Sequence, residues 1–298
     1  MREAVAIIGS GAIGGYLAGA LAGAGRDVTL CVRTPFDRLT VEQGGTVREV
    51  PVRLATDPGA VRPTRWVLLT TKAQDTAGAA PWLSALAGPD TVVVAVQNGV
   101  DHRARVEPVA AGAAVMPAVI WCSVERTHPG RIVHYSNAKL AVQRGPGSAE
   151  LAELFAGSGF EVAQEEDLLT VAWRKLLSNL VVNPLTALTL RRSRIFAQPE
   201  LAGLMRAVLE EAVRVAAAEG AKLGPADIEA ALRGFARLRP ESGTSMLYDR
   251  LAGRPLEHAH LTGALVAAAD RHGLAVPVNR TLLALLAAAS GHRLDGTD

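Results

Sequence analysis

The fold is decided by one stretch near the start of the chain, Ala4-Val5-Ala6-Ile7-Ile8-Gly9-Ser10-Gly11-Ala12-Ile13-Gly14-Gly15. Its first five residues are all apolar, which is typical of a strand buried on both faces of a sheet. The next six match G-x-G-x-x-G, in which glycines allow a sharp turn, close approach of backbone N–H groups to a pyrophosphate and tight helix–strand packing. A merely flexible glycine turn is the alternative. Because the motif joins a predicted strand to a predicted helix, we expect residues 9–14 to bind the phosphates of a dinucleotide.

The end of the second predicted strand, residues 28–32, bears on which dinucleotide binds. A site for NAD would usually place Asp or Glu there to hold the ribose hydroxyls. This chain has Arg33 instead, and the first acid afterwards is Asp37. A loop arginine in solvent is the alternative, but a guanidinium also suits a 2′-phosphate. The sequence therefore favours NADP(H) over NAD(H).

The remaining chain divides into a part rich in predicted strands and a part rich in predicted helices. Apolar runs bounded by Gly, Pro and Asp predict further strands at residues 66–70, 91–96, 114–120 and 160–163. Alternation around Pro129-Gly130 predicts an antiparallel hairpin from 121 to 144. After about residue 167, apolar residues follow the helical period. We predict an α/β Rossmann-type N-terminal domain, residues 1–167, followed by an all-α C-terminal domain, residues 168–298.

Composition and charge argue against several classes of function. The net charge of the 298 residues is +2 and no dense basic run occurs, so we expect no binding to nucleic acid. Residues 4–25 carry no charge and are long enough to span a bilayer, but seven glycines interrupt them, so a strand, a turn and a helix explain them better. Arg2 and Glu3 cancel, which leaves no basic region of a signal peptide. We expect no membrane association.

The two cysteines, Cys31 and Cys122, each lie in an apolar setting and lack the spacing of metal ligands. Such thiols usually stay reduced in a core, which predicts a cytoplasmic protein without a metal site. The alanine-rich helices suit a core and the surface of a homodimer equally well, so the oligomeric state stays open.

Polar residues follow the ends of two predicted strands. Lys72 comes after the strand that begins at Trp66, and Gln97-Asn98-Gly99 follow the next strand. Ligands of open α/β sheets bind beyond the carboxyl ends of the strands, so both positions are expected to face a ligand. A surface lysine and an ordinary Asn-Gly turn are the alternatives for each alone. Together at strand ends they favour a binding function.

One predicted helix of the second domain carries a stripe of polar side chains. Lys175, Asn179 and Asn183 are four residues apart and therefore lie on one face of an otherwise apolar helix. A lysine and two amides are costly to bury without partners. A helix edge that grazes solvent is the alternative. The sequence favours a stripe that faces a substrate.

Ser245 and Glu257, further along the chain, each have two explanations. Ser245 is a candidate helix cap or a candidate ligand of a carboxylate. Glu257 is a candidate first-turn acid in the field of a helix, or a partner that orients a lysine. Spacing alone leaves both questions open.

Together these residues resemble the ketopantoate reductases (2-dehydropantoate 2-reductases). Their order and spacing agree across nearly the whole chain. The similarity is carried by Gly9-x-Gly11-Ala12-Ile13-Gly14-Gly15, Lys72, Gln97-Asn98-Gly99, Lys175-x3-Asn179-x3-Asn183-Pro184-Leu185-Thr186-Ala187, and Ser245-Met246 with Asp249 and Glu257. The Lys–Asn–Asn and Ser–Glu segments are its most specific parts.

The resemblance implies an oxidoreductase that reduces ketopantoate to pantoate with NADPH, in the route to pantothenate and coenzyme A. Lys175 would then be the general acid that protonates the carbonyl oxygen as hydride reaches the carbon. Glu257 would position that lysine or bind the substrate hydroxyl. The residues implied to hold the substrate are Asn98, Asn179, Asn183 and Ser245. Those implied to line the cofactor site are Gly9, Gly11, Gly14, Arg33, Lys72 and Asn98.

The chain departs from the family pattern in two places. The family commonly has Ile-Asp after the glutamate and Asn-Gly two residues further, where this chain has His258-Ala259-His260-Leu261-Thr262-Gly263. Arg191-Arg192-Ser193-Arg194 stand where a milder segment with another substrate-binding Asn is expected. A family member that acts on another 2-oxo acid is therefore an alternative. A non-catalytic NADP(H)-binding regulator is another, although it would not need the Lys–Asn–Asn–Glu set. The β-hydroxyacid dehydrogenases are disfavoured, because they commonly have Gly where this chain has Val171.

Overall fold

The computed structural model of the protein describes residues 3–291, and the chain divides into two units whose apolar cores are separate. The first unit consists of the chain up to Gln97 and of Asp101–Leu168, and the second of Asn98–Val100 and of the chain from Leu169 onward. Asn98–Val100 joins the second unit because Val100 packs against the helical core. The prediction that residues 1–167 hold the cofactor and 168–298 the substrate stays a prediction.

The first unit is built on one mixed sheet. Within residues 3–291 its ten strands are β1 Ala4–Ile8, β2 Asp27–Cys31, β3 Leu39–Gln43, β4 Thr46–Val50, β5 Arg53–Ala55, β6 Trp66–Leu69, β7 Val92–Val96, β8 Ala114–His128, β9 Arg131–Gln143 and β10 Glu161–Glu165. Their order is β4-β3-β9-β8-β7-β6-β1-β2-β5, with β10 paired to β9. From β5 to β8 every pair is parallel, so the carboxyl ends of β2, β1, β6 and β7 meet at one edge.

Helices cover both faces of this sheet. The helices of the first unit are α1 Ala12–Gly23, α2 Ala80–Leu86, α3 His102–Val106 and α4 Ser148–Leu154. Along β1, Ile7 belongs to one apolar core and Ile8 to another, as the alternation of side chains along a strand requires. Leu17 of α1 packs into the first of these cores and Leu83 of α2 into the second. The predicted Rossmann-type layering is confirmed.

Most of the predicted strands are present. The ends of β1, β2, β6 and β7 differ from the predicted ends by at most one residue, and the antiparallel hairpin of β8 and β9 is confirmed. The sequence does not predict β3, β4 or β5. Four of the five residues of β4 are exposed and it lies at the edge of the sheet, while β5 has only three residues. Such strands carry little apolar pattern and form because a neighbouring strand pairs with them.

The glycines of α1 are explained by packing within the first unit. A Cβ on Gly15 would lie 2.7 Å from the side chain of Ile132, and one on Gly19 would lie 2.6 Å from that of Val41. These two glycines therefore let α1 approach the sheet closely. Among the described residues, no helix has the length and apolar character needed to cross a membrane.

The second unit is a set of helices around one core, as predicted. Its helices are α5 Leu168–Thr189, α6 Pro199–Ala218, α7 Pro225–Ala236, α8 Ser245–Leu251, α9 Thr262–Arg271 and α10 Pro277–Ala289. The buried carboxylate of Glu211 on α6 accepts the backbone N–H groups of Val278 and Asn279, each at 2.9 Å. A carboxylate at a helix N-terminus is stabilised by the helix dipole, so this contact fastens α10 to α6.

Candidate active site

The predicted phosphate loop joins β1 to α1 in a conformation that needs glycine at two positions. Gly9 has a φ of 109°, which L side chains rarely adopt. A Cβ on Gly14 would lie 1.9 Å from the carbonyl oxygen of Gly9. A Cβ on Gly11 would instead meet no atom within 4 Å. The first and third glycines are therefore required by the fold, whereas the second borders open space.

Thr70, which directly follows β6, holds the glycine loop in place, although the sequence pattern does not point to it. Its hydroxyl donates to the carbonyl oxygens of Ile8 at 2.9 Å and Gly9 at 3.0 Å. The backbone N–H of Gly9 also donates to the carbonyl of Cys31, at 3.1 Å. These contacts tie the loop to the ends of β6 and β2. The sequence feature that could have indicated this role is the hydroxyl of Thr70 directly after the apolar run of residues 66–69.

The positive N-terminal end of the α1 dipole is not neutralised by a side chain of its own first turn. No side chain caps the helix at Gly11, and no acidic residue lies in its first turn. Arg33 is exposed two residues beyond the end of β2, and Lys72 is half-buried where the chain leaves β6. Since β2, β1 and β6 are parallel neighbours, the loop and both cations lie at the same edge of the sheet.

Lys175, the predicted general acid, belongs to the second unit. It lies half-buried on α5, and its Nζ donates to the side-chain oxygen of Asn98 at 3.1 Å. Burial lowers the pKa of the Lys175 ammonium to about 8, and the negative charge of Glu257 opposes this by raising the pKa. The structure therefore brings together Lys175, Asn98 and Glu257, which we call the lysine cluster.

The surroundings of Glu257 leave room for both roles that the sequence proposes for it. It is buried, it is the first residue of the short 3-10 helix Glu257–His260, and its charge acts on Lys175. The backbone immediately before it is fixed, because the N–H of Leu256 donates to Ser290 Oγ at 2.9 Å. The backbone of Glu257 is therefore fixed by the hydrogen bond of the preceding residue and by the short helix that Glu257 begins.

The predicted polar stripe lies on one continuous helix. α5 carries Lys175, the half-buried Asn179 and the buried Asn183, spaced so that all three share a face. Thr186, one turn beyond Asn183, is fully buried. Its hydroxyl donates to the carbonyl oxygen of Val182 at 2.7 Å.

A chain of hydroxyl contacts connects this stripe to the start of α8. The hydroxyls of Thr186 and Thr244 are 2.7 Å apart, and Thr244 Oγ1 accepts the backbone N–H of Leu247 at 3.1 Å. Thr244 is therefore the helix cap, and the cap interpretation of Ser245 is wrong. Ser245 is the first residue of the helix and is exposed, which leaves its side chain available to a ligand.

Comparison with known proteins identifies the family. The description "Ketopantoate reductase PanE/ApbA" matches residues 5–147, and "Ketopantoate reductase PanE/ApbA C terminal" matches residues 167–290. A 2-dehydropantoate 2-reductase of Caulobacter vibrioides is 39% identical over 288 residues, which are 96% of this chain and 99% of the relative. The chain belongs to the ketopantoate reductase family. It is thus an oxidoreductase of an NAD(P)-dependent family.

Solved structures of ketopantoate reductases have the same fold. A PanE/ApbA family ketopantoate reductase from Ralstonia eutropha superposes with a TM-score of 0.89 at 33% identity, covering 96% of this chain and 98% of its own. A dimeric ketopantoate reductase from Staphylococcus aureus superposes with a TM-score of 0.88 at 27% identity, covering 96% and 98%. The predicted fold class and family are confirmed.

The chain departs from the ketopantoate reductase pattern in two segments, residues 258–263 and residues 191–194. The first segment contains both exposed and buried side chains. Ala259 is exposed, whereas Thr262 begins α9 and is fully buried. In the arginine-rich segment, Ser193 donates from both its backbone N–H and its hydroxyl to the carbonyl of Ser242, at 2.9 Å each. Arg192 donates to the carbonyl of Glu241 at 2.8 Å. This segment therefore fixes the loop that leads to Thr244 and Ser245.

Proposed function

We propose that this protein catalyses the reduction of ketopantoate to pantoate by NADPH, in the route to pantothenate and coenzyme A. The observation that carries the proposal is the lysine cluster, in which a half-buried ammonium with a pKa near 8 is held by Asn98 and faces the charge of Glu257. Reduction of a 2-oxo acid requires a hydride at the carbonyl carbon and a proton at the carbonyl oxygen. Lys175 is suited to supply that proton.

Lys175 is the proposed general acid. Its ammonium donates one N–H to Asn98, and two N–H groups remain with which it can bind the carbonyl oxygen of the substrate. As negative charge develops on that oxygen, the N–H bond breaks, the proton moves to the oxygen and Lys175 becomes neutral. A pKa of about 8 favours this step, because the group is charged at neutral pH and yet releases its proton more readily than an exposed lysine does.

Glu257 and the amides are proposed to hold the lysine and the substrate. The charge of Glu257 keeps Lys175 protonated against the effect of burial. Asn98, Asn179, Asn183 and Ser245 are the proposed donors to the carboxylate and hydroxyl of ketopantoate. Support comes from their residue types and from the threonine contacts that connect α5 to the start of α8.

The residues around the start of α1 fit a dinucleotide. The open space at Gly11 suits a pyrophosphate, the uncapped N-terminus of α1 attracts an anion, and the close approach at Gly14 requires the glycine. We propose that Gly9, Ser10, Gly11, Ala12, Ile13 and Gly14 hold the phosphates, with Lys72 and Asn98 as further ligands. Arg33 is the proposed partner of a 2′-phosphate, which favours NADP over NAD. When bound, the reduced cofactor supplies the hydride.

The deciding experiment measures NADPH oxidation with a panel of 2-oxo acids, comparing ketopantoate, 2-oxoisovalerate and pyruvate. We expect the highest kcat/KM with ketopantoate. A higher value with one of the other acids would assign this chain a different 2-oxo acid substrate. No turnover with any of them, together with tight NADPH binding, would favour a non-catalytic NADP(H)-binding regulator.

A homodimer in the cytoplasm is the proposed working state. The S. aureus relative is described as dimeric. Cys31 and Cys122 are free, and burial raises the pKa of each thiol to about 12, which suits reduced cysteines that take no part in chemistry. Sedimentation of the purified protein tests the dimer: a single species with the mass of one chain would contradict it.

A further inference from the structure

Arg126 places a guanidinium beside the phosphate loop, although nothing in the sequence pattern points to it. It lies near the end of β8, 116 residues away from Ser10 along the chain, and its side chain is exposed. Its Nη1 lies 3.4 Å from the carbonyl oxygen of Ser10, inside the glycine motif. A neutral carbonyl at this distance is a weak partner for a charged group.

Two other arginines of the first unit, unlike Arg126, form an ion pair with a carboxylate. Arg131, on the same hairpin, pairs with Glu42 at 3.3 Å, and Arg38 pairs with Glu49 at 3.5 Å. Among residues 3–291, no carboxylate lies within ion-pair distance of Arg126. The charge of Arg126 is thus available to an anion that approaches the loop.

The start of α1 adds to the same positive region. The helix has no side-chain cap and no acid in its first turn, and the space at Gly11 is open. In the part of the chain that the structure describes, a guanidinium without a carboxylate partner, a helix N-terminus without an acid in its first turn and an open glycine position therefore occur around one six-residue loop. This arrangement suits a phosphate group more than a neutral ligand.

We propose that Arg126 binds the pyrophosphate of the dinucleotide, and so recognises NADPH and NADH alike. The inference rests on the proposed cofactor binding. The guanidinium would exchange its weak contact with the Ser10 carbonyl for a charge-assisted hydrogen bond to a phosphate oxygen. The pyrophosphate is the expected target because it approaches the glycine motif itself. The 2′-phosphate belongs at the end of the second strand, where Arg33 lies.

The experiment measures the Kd of NADPH and of NADH by isothermal titration calorimetry for the full chain and for three variants. Arg126→Gln should raise both Kd values by a similar factor, about tenfold. Arg33→Gln should raise the Kd of NADPH far more than that of NADH. Arg131→Gln, the matched control on the same hairpin, should leave both unchanged. Arg126→Lys keeps the charge and should recover part of the affinity for both cofactors.

Two results would overturn the proposal. One is a wild-type affinity of Arg126→Gln for both cofactors, and the other is a loss confined to NADPH, which would make Arg126 a ligand of the 2′-phosphate. Failure of the proposed function gives different results: a wild-type protein that binds neither cofactor fails at cofactor binding, and one that binds NADPH but turns over no 2-oxo acid fails as an enzyme and leaves the role of Arg126 testable by the same Kd values. Because Arg126 is exposed, Arg126→Gln should unfold at the same temperature as the wild type, and this measurement shows that a lost affinity is not lost folding.

Discussion

The glycine loop of the first unit and the lysine cluster of the second are built by different means. The loop is contiguous in sequence and presents backbone groups, held in shape by glycine and by the hydroxyl of Thr70. The cluster presents side chains, and Lys175 and Asn98 are 77 residues apart along the chain. A local motif can therefore encode a phosphate site, whereas a proton donor with a lowered pKa needs surroundings that only folding assembles.

The largest expected effect is a loss of kcat without a loss of cofactor affinity. Lys175→Ala should lower kcat for ketopantoate reduction by about 10²–10⁴-fold, the usual contribution of a general acid. The Kd of NADPH should stay within error of the wild-type value, because the glycine loop is untouched. Steady-state kinetics and calorimetry measure the two quantities. The exposed Lys222 provides a control, as Lys222→Ala should retain full activity. Unchanged turnover of Lys175→Ala would remove this lysine from its proposed role.

Two glycine variants separate the fold of the loop from its ligand. In Gly14→Ala, the new methyl group would meet the carbonyl oxygen of Gly9 at 1.9 Å, so backbone must move. We expect the free energy of unfolding to fall by about 1–3 kcal/mol, as in other overpacked sites. In Gly11→Ala, the methyl group enters open space. Stability should then be retained while NADPH binding weakens.

Urea unfolding and calorimetry on both glycine variants test this contrast. A Gly14→Ala protein as stable as the wild type would show that the loop tolerates a side chain at this position. A Gly11→Ala protein with wild-type NADPH affinity would show that the open space is not where the phosphates lie.

Thr186→Val should loosen the connection between α5 and α8. It removes the hydroxyl that accepts from Thr244 and donates to Val182, at a cost of about 1 kcal/mol in the free energy of unfolding. The KM for ketopantoate should rise, because Ser245 follows Thr244 directly. Thr189→Val is the matched control, since the hydroxyl of Thr189 on the same helix donates to the carbonyl of Leu185, within α5 itself. Equal KM values for the two variants would contradict a positioning role for Thr186.

The smallest expected effect is a displacement of the pH profile. In the wild type, kcat for reduction should fall as the pH rises through about 8, because Lys175 must be protonated to act as an acid. Glu257→Gln removes a charge that raises this pKa, so the basic limb should move to lower pH. Glu219→Gln, whose carboxylate contacts Arg271 and His272 in the same unit, should leave the limb in place. An unmoved limb in Glu257→Gln would show that its charge does not reach Lys175.

The sequence predicts the parts of the fold that have a local signature. The buried strands around the glycine motif are nearly continuous apolar runs, and their ends were predicted to within one residue. The sequence does not predict β3, β4 or β5. β4 is an edge strand and β5 has three residues, and such strands form through pairing more than through their own composition. β3 lies inside the sheet, but only Leu39 and Val41 of its five residues are buried, which is a short alternation. The sequence also leaves Ser245 as a candidate cap, since both Thr and Ser are common cap residues, and only the extended backbone and the hydrogen bond of Thr244 identify the cap.

By itself, the sequence determined the glycine loop, the helix with its polar stripe and the resemblance to ketopantoate reductases, because each depends on residues at fixed short spacings. Only the tertiary structure decided that Asn98 holds Lys175, that Glu257 lies near enough to act on the pKa of that lysine, and that Arg126 lies beside Ser10. These pairs are distant along the chain, and their interactions depend on distance and burial. Folding fixes both quantities, whereas sequence spacing fixes neither.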